Sequence, residues 1–501
     1  MKNKIILVQP TMGISGELAC HIPLSLLYVA SGLTKNKFKV IIMDNRLYPD
    51  SWRQKLLDYL DNNTLFVGIT VMSGSPIANA IEVSKLVKNT GPIPVVWGGA
   101  HPTVRPEQIL IKNFVDFTIS GSGVNSSIKL AESLSKSIIN PEEFKDIAGL
   151  GYKHNGEIIC NKIYKGFEHV PYTDMPYYLI EDFSKYRQIG STERIFPIYS
   201  AYGCPYNCAF CVSPSLYRDF KYKWVPLPAK EIVDHIEYLK KNYGATEIYF
   251  YDDDSFVNLD HIHSIIKEVR NRTLKIKMSF RGARVNEVLK MDKEYLHELA
   301  EAGTHILHIG IESGSQRILD LFNKGIKVED IFQMNRRLSE NKKIISGYNW
   351  IIGTPTETLQ NIKETTNVII KLIDHNPRCI IFPPNKFRPL PGTDLFILAI
   401  QHGYKEPATL EEWIYEELEG DKSQVWYTSE IEKMIKMLQV TSYFIDNKQV
   451  LLLKKHSFKN MLIKLLFMLY RPVARFRFKY GITGALIEYP IFQFFVSRYR
   501  K

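Results

Sequence analysis

The chain has 501 residues, 45% of them hydrophobic and 23% charged, which is the composition of an ordinary globular protein and excludes a disordered or fibrous chain. This length leaves room for about two or three domains, each with its own core. The net charge is +11, and almost all of the excess lies in residues 451–501, which carry eleven Lys and Arg against one acid, Glu488.

The first segment alternates short apolar runs with helical patterns. Five runs predict buried strands: Ile5–Val8, Val40–Met43, Leu65–Val71, Val95–Trp97 and Phe117–Ser120. Four stretches predict helices: Leu24–Leu33, Trp52–Leu60, Ile77–Lys88 and Ser126–Leu134. This alternation predicts a doubly wound, Rossmann-like parallel sheet with its ligand site at the carboxyl ends of the strands. A phosphate loop is disfavoured because neither glycine-rich phosphate motif occurs there.

An irregular connector, residues 141–190, follows and contains several Gly and Pro. Beyond it, strand and helix patterns alternate again. Six strands are predicted: Tyr199–Tyr202, Glu247–Tyr251, Lys277–Arg281, His305–Ile311, Ser346–Ile352 and Cys379–Lys386. Six such units predict an open parallel barrel, in which the chemistry is located at the carboxyl ends of the strands.

Three cysteines, Cys204, Cys208 and Cys211, follow the first of these strands at spacings of three and two intervening residues. Three thiolates cannot complete the four-cysteine ligation of a cubane iron–sulfur cluster, so one iron is left open to another ligand. A zinc site would need a second ligand pair at short spacing, which is missing. The other cysteines are scattered singly, which disfavours a disulfide framework.

The cysteine loop, with Phe210 before its last cysteine, resembles the cluster loop of the radical S-adenosylmethionine (SAM) superfamily. Residues 23–30, 67–72 and 97–103 resemble the cobalamin-binding domain that precedes such a loop. The chain is thus identified as similar to the cobalamin (B12)-binding radical SAM enzymes. The resemblance implies an α/β fold with four parts: a Rossmann-like cobalamin-binding domain (1–140), a linker (141–190), a radical SAM core forming a partial (β/α)6 TIM-like barrel (191–405), and an α-helical C-terminal extension (406–501).

The resemblance also implies three cofactors: a [4Fe–4S] cluster on Cys204, Cys208 and Cys211, S-adenosylmethionine, and cobalamin. It implies S-adenosylmethionine contacts at Phe210, Asp252, Asp253, Ser279, Arg281, Glu312 and Gly353. It implies cobalamin contacts at Thr11, Thr70, Ser73, Gly98, Gly99, His101, Gly121 and Gly123. Alternative roles stay open for some of them: the Asp252–Asp254 acids as a helix N-cap and Arg281 as a buried salt bridge.

Two features of the sequence bear on the cobalamin site, and only the second departs from the pattern of the radical family, whose members usually lack the first. The chain lacks the D-x-H-x-x-G run that offers a histidine to cobalt in other cobalamin domains, so His101 is expected to have a structural role. Where the family often has Gly-Glu-Gly-Glu, this chain has Gly121-Ser122-Gly123-Val124. Some polar contacts to the ligand are therefore expected to differ.

The implied activity is transfer of a methyl group to an unactivated carbon, through reductive cleavage of S-adenosylmethionine, a 5′-deoxyadenosyl radical and methylcobalamin. Two alternatives remain: a cyclase or rearrangement enzyme like the anaerobic magnesium-protoporphyrin cyclase, and a non-catalytic cobalamin or redox sensor. A methylthiotransferase is disfavoured because no second cluster-binding cysteine set precedes Cys204. We expect a small-molecule or lipid-like substrate and an electron donor such as flavodoxin or ferredoxin.

The basic tail, residues 451–501, interleaves its charges with leucine, methionine, isoleucine and phenylalanine. Three interpretations are open: a helix on an anionic membrane surface, a nucleic-acid patch, or a helical cap that packs on the barrel. We expect no nucleic-acid partner. No apolar run reaches the roughly 18 residues that span a bilayer, and no signal peptide is recognisable, which predicts a cytoplasmic protein. The membrane interpretation of the tail would place this protein in peripheral contact with the inner face of the membrane.

Overall fold

A computed structural model describes residues 2–12, 21–138, 140–186, 193–414, 424–448, 451 and 458–484. Its contacts divide the chain into two compact units. The first unit contains Met1–Arg187, Asp219–Lys221 and Glu406–Lys422. The second contains Gln188–Arg218, Tyr222–Lys405 and Ser423–Lys501. The first unit thus includes a short segment that follows the barrel strands in sequence.

The first unit is built on a seven-stranded sheet with the order β2-β1-β3-β4-β5-β6-β7. The strands are β1 Lys4–Gln9, β2 Lys39–Asp44, β3 Thr64–Thr70, β4 Val95–Gly98, β5 Phe117–Ile119, β6 Leu150–His154 and β7 Glu157–Cys160. The helices are α1 Leu24–Lys35, α2 Trp52–Tyr59, α3 Pro76–Thr90, α4 Ala100–Val104, α5 Pro106–Leu110 and α6 Val124–Ser135. Strands β1 to β5 are parallel, as predicted, and their apolar residues form a core with the inner faces of α1 and α6.

The predicted irregular connector contains regular structure that extends this sheet. Strand β6 pairs antiparallel with β5, and β7 pairs antiparallel with β6. The two added strands are joined at Asn155-Gly156, the dipeptide most typical of a tight hairpin turn. The prediction of an irregular stretch is therefore wrong here, because that turn signal was overlooked.

The second unit has six parallel strands in sequential order, β8-β11-β12-β13-β14-β15, which is the order of a partial barrel. They are β8 Ile195–Ile198, β11 Glu247–Phe250, β12 Lys277–Arg284, β13 Thr304–Glu312, β14 Ile345–Ile352 and β15 Cys379–Ile381. Short strands β9 Ala201–Gly203 and β10 Trp224–Pro226 pair with each other, and β16 Asn385–Lys386 pairs with β14. The six predicted parallel strands are confirmed, except that the first lies at Ile195–Ile198 and not at Tyr199–Tyr202.

Helices connect these strands and follow them. They are α7 Ser213–Leu216, α8 Ala229–Tyr243, α9 Leu259–Asn271, α10 Val285–Val288, α11 Lys293–Glu301, α12 Gln316–Leu321, α13 Val328–Ser339, α14 Leu359–His375, α15 Asp394–Gln401, α16 Ser429–Thr441 and α17 Phe458–Tyr480. The last two helices contact α14. In the described part of the chain, no helix is both long enough and apolar enough to cross a membrane.

Strand β12 is longer than predicted and ends at Arg284 instead of Arg281. Its pairing with β13 shifts register between Phe280 and Ala283, so the strand passes through an irregularity before it ends. Gly282 lies within this irregularity. A Cβ there would lie 2.7 Å from the Asp254 Cα and 2.8 Å from the Asp253 carbonyl oxygen, so only glycine permits this approach of β12 to the loop after β11.

Candidate active site

The loop Cys204–Cys211 follows β9 and is fixed by contacts on both sides. The Ala209 N–H donates to the Phe322 carbonyl at 2.9 Å, and the Leu395 N–H donates to the Ala209 carbonyl at 3.0 Å. The Phe210 ring packs edge-on against Phe322 with centroids 5.1 Å apart. The aromatic residue singled out in the sequence therefore anchors the loop to the turn that follows α12.

The three thiols form a donor set that fits a cluster. Burial raises the pKa of Cys204 to about 12 and also raises the pKa of Cys211, so both thiols must lose protons when iron binds. Within the described residues, no three His, Cys, Asp or Glu side chains are grouped so as to hold a single metal ion. A cubane cluster does not need such a group, because each thiolate binds a different iron.

Sequence reasoning missed Arg284, which contacts the cluster loop directly. Its Nη1 donates to the Cys208 Sγ at 3.0 Å, and its Nη2 donates to the Lys324 carbonyl at 2.7 Å. The side chain is buried at the carboxyl end of β12. No local sequence pattern indicates this contact, because the predicted strand ends three residues before Arg284.

The three acids after β11 have three different environments. Asp252 is buried, and its oxygens accept from the Ser200 N–H at 2.6 Å and the Ser255 hydroxyl at 2.8 Å. Asp253 is exposed and accepts from the Tyr217 hydroxyl at 2.9 Å. Asp254 is buried, and burial together with the neighbouring carboxyl of Glu287 raises its pKa well above the usual value. None of the three caps α9, because that position is occupied by Asn258.

Ser279 and Arg281, the two predicted S-adenosylmethionine contacts on β12, lie in different environments. Ser279 is buried near the start of the strand, and its hydroxyl donates to Glu247 Oε1 at 2.5 Å. Arg281 is exposed in the irregular part of β12, with its guanidinium carbon 5.5 Å from the Tyr251 ring centroid. The prediction that this strand ends at Arg281 is wrong, because the irregularity carries the strand on to Arg284. Arg281 makes no salt bridge with any described residue, so the alternative of a buried ion pair is also wrong.

Glu312 ends β13, as predicted, and is nearly buried. Its Oε1 accepts from the Lys324 Nζ at 3.1 Å, and both side chains are shielded from solvent. The backbone at Glu312 has a φ of 73°, a left-handed conformation that is uncommon for a non-glycine residue and indicates a site under constraint. Lys324, which sequence reasoning missed, also lies 5.8 Å from the Phe210 ring centroid.

Gly353 lies in the turn after β14, and both of its backbone polar groups have partners. Its N–H donates to Glu357 Oε2 at 2.6 Å, and its carbonyl accepts from the Trp426 indole at 3.1 Å. Burial raises the pKa of Glu357 to about 7. Sequence reasoning missed Glu357, although Thr354 and Glu357 have the S/T-x-x-E spacing in which a glutamate accepts backbone N–H groups of the preceding turn.

The first unit places several predicted cobalamin residues together at the ends of its strands. The Ser73 hydroxyl lies 2.9 Å from the His101 Nδ1, and His101 is fully buried. Its Nε2 has no hydrogen-bond partner among the described residues, and burial lowers the pKa of the ring to about 4. His101 is thus neutral at pH 7, and its Trp413 neighbour packs edge-on at 5.5 Å.

Gly99 shows how closely these strand ends approach each other. A Cβ at Gly99 would lie 2.9 Å from the Val71 carbonyl oxygen and 3.0 Å from the Thr70 Oγ1, and the residue has a φ of 101°. Gly98 and Thr70 are half-exposed beside it. These observations fit a surface at which a large planar ligand meets backbone, as expected for a corrin.

Thr11 and the turn at Gly121 and Gly123 are the remaining predicted cobalamin contacts. The Thr11 N–H donates to the Asn79 Oδ1 at 3.0 Å. At the turn, Glu168 accepts from the Val124 N–H at 3.1 Å and from the Ser122 hydroxyl. A carboxylate from the connector is therefore present where the family's own glutamates are missing from the sequence, and it caps the N-terminus of α6.

A six-stranded parallel barrel whose first strand leads into a loop of three cysteines, in a chain that also has a doubly wound sheet, defines an iron–sulfur enzyme with a second cofactor domain. The model of the Radical SAM superfamily matches residues 198–369, and that of the B12 binding domain matches residues 18–130. The chain belongs to the cobalamin-binding radical SAM family.

Individual relatives agree with this assignment. The chain is 29% identical over 383 residues to an uncharacterized methyltransferase of Pyrococcus horikoshii, covering 75% of this chain and 78% of the relative. It is 24% identical over 372 residues to the anaerobic magnesium-protoporphyrin IX monomethyl ester cyclase of Rubrivivax gelatinosus, covering 74% of this chain and 64% of the relative. The fold is similar to that of the cobalamin-dependent S-adenosylmethionine radical enzyme OxsB, with a TM-score of 0.70, 18% identity and coverage of 99% and 75%. The predicted family and fold class are confirmed.

Proposed function

We propose that this chain is a cobalamin-dependent radical SAM methyltransferase that adds a methyl group to an unactivated carbon of a small molecule. The observation that carries the proposal is the loop of three thiols at the barrel mouth, with a buried cation on Cys208, in a chain that also has a B12-binding domain. When bound, the cluster, S-adenosylmethionine and cobalamin supply an electron, a carbon radical and a transferable methyl group. The chain supplies binding, orientation and exclusion of water.

The carboxyl ends of the barrel strands offer partners for each polar part of S-adenosylmethionine. We assign the ammonium to Asp253, because its carboxylate is exposed while that of Asp252 is occupied by protein donors. The exposed guanidinium of Arg281 suits the carboxylate of the methionyl part. The ribose and the adenine are assigned to Glu312 and to the turn at Gly353.

The first test asks whether the chain is an enzyme at all. Anaerobically reconstituted, reduced protein is expected to form 5′-deoxyadenosine from S-adenosylmethionine. The Cys208→Ala variant is expected to lose this activity together with its iron, whereas Cys160→Ala, an exposed cysteine of the first unit, retains both. Wild-type protein that binds the cluster but forms no 5′-deoxyadenosine would favour the sensor alternative and contradict the proposal.

A second candidate is the cyclisation or rearrangement chemistry of the cyclase relative, which the sequence similarity to that protein favours. Methyl-labelled S-adenosylmethionine separates the two candidates. Label in the product supports methyl transfer, while 5′-deoxyadenosine formation with an unlabelled, dehydrogenated or rearranged product supports cyclisation. The electron is assigned to a low-potential carrier of the flavodoxin or ferredoxin type, since the chain has only the single three-cysteine cluster motif.

We further propose that α17 contacts an anionic membrane surface. Exposed apolar side chains recur along it at spacings of three and four residues, which puts them on one face: Leu465, Met468, Leu469, Val473, Phe476 and Tyr480. On the opposite face, Ala474 and Phe478 are fully buried. The helix therefore packs on the second unit and still presents an apolar stripe. The excess of ten positive charges in residues 451–501 complements anionic lipid headgroups.

Sedimentation of the full chain with lipid vesicles tests this contact. The wild type is expected to bind phosphatidylglycerol-containing vesicles and not phosphatidylcholine vesicles, and the double variant Leu469→Glu/Phe476→Glu is expected to lose most of this binding. Ile397→Glu, which changes an equally exposed apolar residue of α15, serves as the matched control. Absence of vesicle binding by the wild type would contradict a lipid occupant. A wild-type dimer that the double variant loses and the control variant keeps would also contradict it.

A further inference from the structure

Arg284 joins the cluster loop to the strand and turn beside it. Its guanidinium donates through Nη1 to the Cys208 Sγ at 3.0 Å and through Nη2 to the Lys324 carbonyl at 2.7 Å. The side chain is only 8% exposed, so its positive charge is largely withheld from solvent. A charge in such surroundings acts on its neighbours more strongly than one in water.

Two neighbouring residues fix the orientation of Arg284. Its guanidinium carbon lies 3.8 Å from the ring centroid of Tyr206, a residue of the cluster loop. The Tyr206 hydroxyl donates to Glu287 Oε1 at 2.7 Å, and Glu287 Oε2 accepts from the Arg284 N–H at 3.2 Å. Arg284 is thus held through its backbone and through the face of its side chain, so the donor to Cys208 is preorganised.

The three cysteines differ in the hydrogen-bond partners of their sulfur atoms. Among the described residues, Cys204 has a backbone hydrogen bond with Tyr206, and Cys211 has hydrogen bonds with Ser213. Of the three, only Cys208 receives a hydrogen bond from a cation in the described part of the chain. The loop is therefore electrostatically asymmetric, with the charge placed on its middle ligand.

We propose that Arg284 is a positioning residue that raises the reduction potential of the cluster through Cys208. Reduction adds one electron, and so one negative charge, to the cluster. A fixed cation that also donates an N–H to a ligand sulfur stabilises the reduced form more than the oxidised form. The inference rests on the cluster of the proposed function, but not on methyl transfer, S-adenosylmethionine or a substrate.

A redox titration of the reconstituted full chain without S-adenosylmethionine tests the proposal, with dithionite as the reductant and the reduced cluster followed by electron paramagnetic resonance. Arg284→Met is expected to keep the wild-type iron and sulfide content. At the wild-type midpoint potential it is expected to show a ratio of reduced to oxidised cluster about tenfold lower, a shift of about 59 mV for one electron. Arg284→Lys, which retains the charge, is expected to recover a large part of the shift.

Arg378→Met is the matched control, because Arg378 donates to the carbonyls of Ile344 and Lys343 and to no sulfur. Its titration is expected to equal that of the wild type. An Arg284→Met protein with full cluster content and an unchanged midpoint would overturn the proposal. If Arg284→Met does not hold the cluster, the Arg284→Gln and Arg284→Lys variants decide. A midpoint potential that is lower than that of the wild type in the glutamine variant alone supports the proposal. Equal midpoint potentials in the two variants overturn it. Failure of the wild type to assemble a cluster would instead contradict the proposed function.

Discussion

Asp252 Oδ1 accepts the backbone N–H of Ser200 at 2.6 Å and that of Ala201 at 3.2 Å. Its Oδ2 accepts the hydroxyls of Ser200 and Ser255. This buried carboxylate therefore ties the end of β8 and the start of β9, which leads into the cluster loop, to the loop after β11. All of these bonds are within the protein, so Asp252 positions the cysteine loop rather than facing a ligand.

Asp252→Asn is expected to destabilise the second unit. The NH2 group of the new side chain would face N–H and O–H groups whose hydrogen bonds the carboxylate now accepts. The expected loss in free energy of unfolding is about 1 to 3 kcal/mol. Asp253→Asn, at the exposed neighbour, is expected to change stability by less than about 0.5 kcal/mol. Urea denaturation of both variants is the measurement, and an equal effect of the two substitutions would contradict the difference in their roles.

His101→Gln is expected to reduce the acid sensitivity of the first unit. Burial lowers the folded-state pKa of His101 from its usual value of 6.5 to about 4. The unfolded chain therefore binds more protons between these values, and stability falls as the pH is lowered from 6.5 toward 4, by at most about 1.4 kcal/mol per pH unit. Urea midpoints measured from pH 7 to pH 4.5 are expected to fall less for the variant. Parallel curves would show that the pKa of His101 does not differ between the folded and unfolded states, which would contradict the prediction.

Glu357→Gln is expected to alter the pH dependence of stability in the opposite direction. Burial raises the folded-state pKa of Glu357 from 4.5 to about 7, so its contribution is complete below pH 4.5 and is lost as the pH rises through 7. The stability of the variant relative to wild type is thus expected to rise between pH 5 and pH 8. Glu364→Gln, on the helix α14 that follows Glu357, is the control, because hydrogen bonding lowers the pKa of Glu364 and confines its effect to acid pH.

Glu168→Ala is expected to loosen the first turn of α6. Glu168 supplies an acceptor and a negative charge at the N-terminus of that helix, a combination whose loss costs about 1 kcal/mol. The direct measurement is hydrogen exchange at the Val124 and Asn125 amides. The substitution is expected to accelerate exchange at these two amides more than exchange in α1. Glu157→Ala, which removes an exposed acid of β7, is expected to leave both amides unchanged.

The strand and helix periodicity of the sequence determined the five parallel strands of the first sheet and the parallel strands of the second, because buried parallel strands form apolar runs bounded by turns. The hairpin at Asn155-Gly156 was also readable from its turn dipeptide. The end of β12 was not, since Arg281 to Arg284 continue the strand only after an irregularity that Gly282 allows against the Asp254 backbone.

The cysteine spacing by itself determined that the chain can hold an iron–sulfur cluster, because the three ligands are local in sequence and their chemistry is specific. Only the tertiary structure decided which distant residues serve that loop. Arg284 lies 76 residues beyond Cys208, and Glu168 lies 44 residues beyond Val124. Such contacts depend on strand register and on the path of connectors, which no local pattern encodes. For the same reason, only the structure distinguishes the environments of these two adjacent acids. The carboxylate of Asp252 accepts hydrogen bonds from protein donors, whereas Asp253 is exposed.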